Sequence, residues 1–149
     1  METTKWGKSL WISLHTISFN APDICNEEET KQYILFFNLI GNLLPCKYCR
    51  TSYKKFMKAL PIEDYASDKM GLTYWLYIMH NLVNLKLDKT CDLTFKEVVY
   101  IYEKMKVKKQ NYYIINKFVN ESLCKYEKKT QKRVLNLLKY LNSVHWTFN

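Results

Sequence analysis

Between its three prolines, Pro22, Pro45 and Pro61, the chain repeats apolar residues at the spacing of an α-helix, which constrains its fold more than any other feature. A strand with one wet face would alternate apolar and polar residues, and no stretch does so regularly. Only three glycines occur. The expectation is an all-α protein. At 149 residues and 48% hydrophobic, the chain can bury one core without metal or disulfides to hold it. No charged segment leads into an apolar run at Met1–Gly7, and no apolar run approaches about 18 residues. Neither secretion nor membrane spanning is signalled, and a cytoplasmic protein is expected.

The first helix is expected from about Lys5 to Asn20, capped by Thr3 or Thr4 and stopped before Pro22. On it Lys8, Trp11, His15 and Ser18 form a polar and aromatic stripe among apolar residues. Such a wall can face a polar aromatic ligand, or simply hold a core Trp beside a satisfied His. Asn26 caps the second helix, with Glu27, Glu28 and Glu29 against its positive end, and the helix continues to Leu44. Pro45 suits the first position of a third helix that runs to Leu60. A short acidic loop from Pro61 to Ser67 leads to the fourth helix, Asp68 to about Leu87. There Tyr77, His80, Asn81, Asn84 and Asp88 share one face, while Leu72, Trp75, Leu76, Met79, Val83 and Leu87 make the apolar one. Buried amides and an imidazole need partners, either each other or an adenine edge and ribose hydroxyls. Thr94 and Glu97 form a capping box for a shorter fifth helix carrying Val98, Ile101 and Tyr102.

The net charge of +9 is uneven: residues 1–104 carry 13 Lys/Arg against 12 Asp/Glu, whereas 105–149 carry 10 against 2. Residues 111–124 and 130–142 again show helical apolar spacing, so the basic tail reads as a helical hairpin. It could seek nucleic acid, an acidic partner or a membrane surface, but a solvated lysine face is the commoner explanation. Lysine outnumbers arginine 21 to 2, which reflects an A/T-rich coding genome as much as binding and weakens the nucleic-acid reading.

Cys46 and Cys49, directly behind Pro45, would lie on one face of a helix's first turn. The free N–H groups of that turn, with Lys47 and Arg50, favour thiolate over thiol. By itself the C-x-x-C fits half a zinc site, a redox disulfide, or two inert buried cysteines. No second C-x-x-C or close His pair completes a zinc site, and nothing resembles the βαβ setting of a thioredoxin. Five cysteines leave at least one unpaired within the chain, and in the cytosol a C-x-x-C points to redox work before structure. No phosphate-cradling glycine loop and no Ser/His/Asp set occur.

Taken together, Trp6-Gly7, Trp11-x-x-Leu14-His15, Pro22, Pro45-Cys46-x-x-Cys49, Trp75 and His80-Asn81-x-Val83-Asn84-x-x-Leu87-x-Lys89 resemble the Erv/ALR family of FAD-linked sulfhydryl oxidases. The order and spacing fit from about Trp6 to Tyr102, and the compact forms encoded by large DNA viruses are most similar. The resemblance implies a four-helix bundle with a short fifth helix, FAD at one end, and a homodimer. It implies a sulfhydryl oxidase domain over residues 1–104 and a basic helical extension over 105–149. By position Cys49 resembles the flavin-proximal cysteine and Cys46 the one that exchanges with a dithiol protein substrate. Gly7, Lys8, Trp11 and His15 match flavin contacts of the first helix. His80, Asn81, Asn84, Lys86 and Lys89 match contacts around the adenosine half, and Tyr102 an aromatic near the adenine. Electrons would pass from dithiol through Cys46–Cys49 and FAD to oxygen, giving peroxide. A viral member would work in host cytoplasm or virion.

The family's structural disulfide has no first cysteine here, and Cys91 lies nearer Lys89 than expected. With no second C-x-x-C as a shuttle, Cys46–Cys49 would meet substrate directly, or through Cys25 or Cys124. The basic tail would recruit substrate or support the dimer. The rival readings are a non-catalytic helical adaptor with a basic nucleic-acid- or protein-binding tail, and a zinc-stabilised domain using Cys46, Cys49, Cys91 and a histidine.

Overall fold

The computed structural model describes residues 3–90 and 92–105; the expected hairpin of residues 111–142 and Cys91 lie outside them. Helix α1 spans Thr3–Phe19, α2 Glu27–Leu43, α3 Lys47–Ala59, α4 Lys69–Lys86 and α5 Phe95–Met105, with a 3-10 turn at Ile62–Asp64 inside the acidic loop. Among the described residues no strand forms. A single antiparallel bridge, Ile24 with Asp68, ties the loop after α1 to the start of α4, beside a Cys25 N–H to Ser67 carbonyl bond of 2.9 Å. The fold is all-α, as the periodicity requires.

Local chemistry sets the helix starts. At α2, Asn26 Oδ1 accepts the Glu29 N–H and Glu29 Oε1 accepts the Asn26 N–H, each at 2.8 Å, so two end donors are satisfied reciprocally. Asp68 caps α4 by accepting the Gly71 N–H. Thr94 and Glu97 exchange the same pair of bonds at the start of α5. The first helix differs from expectation: it begins at Thr3, so Thr3 and Thr4 fall within its first turn instead of capping it.

The α2–α3 corner also differs. Leu44 is extended, as a residue before proline prefers, and Arg50 Nη1 donates to its carbonyl at 2.6 Å. Pro45 therefore precedes the cap instead of opening the helix. Cys46 is the N-cap, at φ −98° and ψ 126°, and its Sγ accepts the Cys49 N–H at 3.3 Å. A sulfur acts where an oxygen is usual.

Leu14 and Ile17 of α1, Tyr33, Phe36, Phe37 and Ile40 of α2, and Leu72, Trp75, Leu76 and Met79 of α4 fill the core. Each such side chain contributes about 1.5–3 kcal/mol by leaving water. Trp75 is fully buried yet satisfied, because its indole N–H donates to the Leu60 carbonyl at 3.0 Å and pins the end of α3 to α4. Lys69 pairs with Glu103, joining α4 to α5. These contacts fix the end of α3 and the start of α4 within the bundle.

Candidate active site

A cavity of about 560 Å³ opens between α1, the start of α3, the end of α4 and α5. From α1 it takes Trp6, Gly7, Lys8, Leu10, Trp11, Ile12 and Leu14; from α3, Cys49, Ser52 and Tyr53; from α4, His80, Val83, Asn84 and Lys86. Leu44, Leu87, Lys89 and Tyr102 complete the lining. Of the residues expected to hold a flavin nucleotide, all but His15 and Asn81 line this one space.

His15 stands directly behind the wall. It is buried, and its Nε2 lies 3.0 Å from His80 Nδ1. The His80 ring in turn stacks on Trp11, centroids 3.9 Å apart and planes 6° from parallel. Tyr102 stacks on His15 at 4.9 Å and on Phe19 at 5.5 Å. Burial, then the charge of His80, pushes His15 down to about 3; burial, then Lys89, pushes His80 down to about 4. Both imidazoles are therefore neutral near pH 7 and share one N–H between them. The Nδ1 of His15 and the indole N–H of Trp6 are buried without hydrogen-bond partners among the described residues.

The two thiols divide across the rim. Cys49, at the third position of α3, lies in the cavity wall; Cys46, the cap, does not line it and is half-buried on the outer side. Both are free thiols. Hydrogen bonding from Cys49 is the main cause that lowers the Cys46 pKa, helped by the N–H groups of Cys49 and Tyr48 and by the charge of Lys86. Cys49 is pushed up to about 11 by burial, by donating to Cys46 and by the Cys46 charge, with Lys86 pulling the other way. Of the pair, only Cys46 is shifted toward the thiolate. Nor do Lys47 and Arg50 supply the charge: Arg50 is occupied at Leu44, and the cation that acts comes from α4.

Lys86 reaches across the helices to the Tyr48 carbonyl, 3.5 Å away. Its position depends on how α4 ends. Leu87 is the C-cap, Asp88 follows in the left-handed region at φ 56°, the Asp88 N–H reaches Leu85 and the Lys89 N–H reaches Asn84 at 2.8 Å. This paired 6→1 and 5→2 closure turns the chain so that Lys86 and Lys89 both face the cavity.

Residues 8–112 match the Erv1 / Alr family. The chain belongs to that family. A relative in Oryza sativa subsp. japonica, "FAD-linked sulfhydryl oxidase ERV1", is 32% identical over 83 residues, which are 56% of this chain and 42% of the relative. The chain thus spans under half the length of that curated protein. The family match includes the redox pair, the α4 motif and all of α5.

Three placements were not read from the sequence. Val83 and Leu87, expected on the apolar face of the helix, line the cavity beside His80 and Asn84; the spacing 80, 83, 84, 87 is one helical stripe and could have been read as such. Ser52 and Tyr53 follow Cys49 at i+3 and i+4 by the same rule. Cys25 is buried, with its thiol pushed up to about 11, first by burial and then by Glu29 and Asp68. Among the described residues no three His, Cys, Asp or Glu side chains lie close enough to hold a metal, and no helix is long and apolar enough to cross a membrane.

Proposed function

We propose that the chain is an FAD-dependent thiol oxidase that forms disulfides in partner proteins. The observation that carries the reading is the division of the C-x-x-C: one sulfur in the wall of an aromatic cavity, the other outside it. The cavity suits the cofactor. Its volume lies within the range of cofactor pockets, about 300–1,000 Å³. Trp6, Trp11, Tyr53, His80 and Tyr102 offer faces to planar rings, Lys8, Lys86 and Lys89 offer cations to a diphosphate, and the unpartnered Trp6 N–H offers a donor. FAD, when bound, accepts two electrons from a dithiol and passes them to oxygen, giving hydrogen peroxide.

The chain's own residues carry the thiol exchange. With Cys46 and Cys49 joined as a disulfide, a substrate thiolate attacks the outer sulfur, Cys46. The Cys46–Cys49 bond breaks as the substrate–Cys46 bond forms, and Cys49 leaves as a thiolate into the cavity wall, where Lys86 favours its charge. A second substrate thiolate then attacks the substrate sulfur of the mixed disulfide, releasing Cys46 as a thiolate that the α3 N–H groups stabilise. Substrate departs as a disulfide, and its two electrons rest on the cysteine pair. Asn84 and Ser52 are available to orient a ligand, while the apolar residues exclude water. In the infected-cell setting that a viral member would occupy, the partners are a dithiol protein and a second copy of this chain.

The test is the visible spectrum of the purified protein before and after adding a dithiol under argon. A flavin band that bleaches and returns in air supports the proposal. A protein that stays colourless after refolding with FAD refutes it.

A further inference from the structure

Residues 1–104 are nearly neutral, with 13 basic and 12 acidic residues, yet α3 alone holds five of the basic ones and no acidic one. The rest of that domain is therefore net −4. Arg50 is turned inward to Leu44, but Lys47, Lys54, Lys55 and Lys58 are all exposed and share the outward face of α3 with Thr51 and Tyr48. None of the four lysines forms an ion pair with a described residue. Only part of this arrangement serves the helix, through Lys58 in its last turn. Lys47 opposes the positive end of the dipole, and Lys54 and Lys58 are like charges one turn apart.

The face has a direction. Its N-terminal end is Cys46, the outward sulfur of the redox pair, and next to it stands Tyr48, a large aromatic that is 77% exposed. A chain lying along α3 would thus meet cations over its length and the reactive sulfur at one end.

We infer that the outward face of α3 is a docking surface for an acidic segment of the thiol-bearing substrate protein, which it delivers to Cys46. The inference rests on the thiol-oxidase reading and narrows its substrate class to dithiols flanked by Asp or Glu. Four exposed cations match a carboxylate-rich strand or helix, and a phosphate backbone, which they would also attract, brings no thiol to the end where Cys46 waits. Chemistry at the pair is unchanged: the docked thiolate displaces Cys49 from Cys46, and the neighbouring thiol of the same segment closes the substrate disulfide.

The test compares three substrates of the FAD-loaded full chain: dithiothreitol, a Cys-x-x-Cys peptide flanked by Glu, and the same peptide flanked by Lys. At low salt the acidic peptide should show a KM roughly tenfold below the basic one, and the gap should close at high salt as charges are screened. K54E/K55E/K58E should abolish the preference while leaving turnover of dithiothreitol unchanged, and K54Q/K55Q/K58Q should halve it or more. Equal KM values for the two peptides, or a preference that survives both triple variants, would overturn the inference. Fluorescence polarisation of the acidic peptide with its cysteines changed to serine reads docking without turnover. Loss of dithiothreitol oxidation in the unaltered chain would sink the oxidase reading, whereas that binding, or its lack, still decides the docking face. Tighter binding of an oligothymidine than of the acidic peptide would assign the face to nucleic acid and overturn the inference too.

Discussion

A methyl group at Gly41 should damage the cavity from behind. A Cβ built there would sit 2.6 Å from Tyr53 Cδ1 and 2.9 Å from Cε1, so the ring must move. Tyr53 is held on that spot by donating its hydroxyl to the Phe37 carbonyl at 2.8 Å, and it lines the cavity. Overpacking of this kind costs about 1–3 kcal/mol. Losing the buried hydrogen bond adds about 0.5–1.5 kcal/mol. Alanine returns up to about 1 kcal/mol over glycine in helix propensity. The net expectation for Gly41→Ala is a loss of roughly 1–3 kcal/mol. For a domain of about 100 residues that is a drop in Tm on the order of 5–20 °C, read by circular dichroism at the helix band. The variant should also retain less FAD, because the displaced ring enters the cavity. In a Tyr53→Leu background, with the smaller side chain giving way, the penalty of Gly41→Ala should shrink. A Gly41→Ala protein as stable as its parent would refute the packing argument.

Cys46 should react with iodoacetamide well before Cys49 near pH 8, since its pKa is lowered and that of Cys49 stands at about 11; peptide mapping after partial labelling would show the order. Cys46→Ser should abolish dithiol-dependent oxygen consumption, and persistent turnover would remove its role. His15 and His80, held neutral at about 3 and 4 against an ordinary 6.5, bind fewer protons folded than unfolded, so stability is full above pH 6.5 and falls as pH drops toward 4. The slope from each approaches about 1.4 kcal/mol per pH unit, and urea midpoints of a His15→Gln/His80→Gln protein should vary less over that window than those of the parent. Asp88→Gly should raise stability by about 0.5–1 kcal/mol by relieving a left-handed residue after α4, and an unchanged or lower urea midpoint would contradict the strain.

The sequence was most legible where periodicity or a cap acted locally. Asn26 and Thr94 with Glu97 announced two helix starts because each is a polar side chain serving N–H groups within three residues. It was less legible at Pro45, whose place depends on the following cysteine acting as a cap, a role sulfur rarely takes. The site residues gathered from five separate segments were findable only through the family resemblance, since no local rule brings Gly7 near Lys89. Nothing in one dimension showed that Lys86 would cross to the Tyr48 carbonyl, or that Gly41 makes room for Tyr53. The split of α4 into polar and apolar faces failed at Val83 and Leu87 because a ligand cavity, unlike a core or solvent, uses both kinds of side chain on one stripe.

The unequal thiols explain how a pair of identical side chains can have different tasks. In the reduced state Cys46 is drawn toward the thiolate, first by the Cys49 thiol and then by N–H groups of the first turn of α3, whereas Cys49 is held toward the thiol chiefly by desolvation. Two of the three causes that raise Cys49 are its hydrogen bond to Cys46 and the Cys46 charge. Both vanish once Cys46 is bonded to a substrate sulfur. Burial, which raises the Cys49 pKa, is then opposed by Lys86 and a backbone N–H, so the pKa falls when substrate is attached. Engagement of the outer sulfur therefore shifts the inner one toward the thiolate. Lys86, anchored to the same turn of α3, remains to favour that charge at the moment it forms.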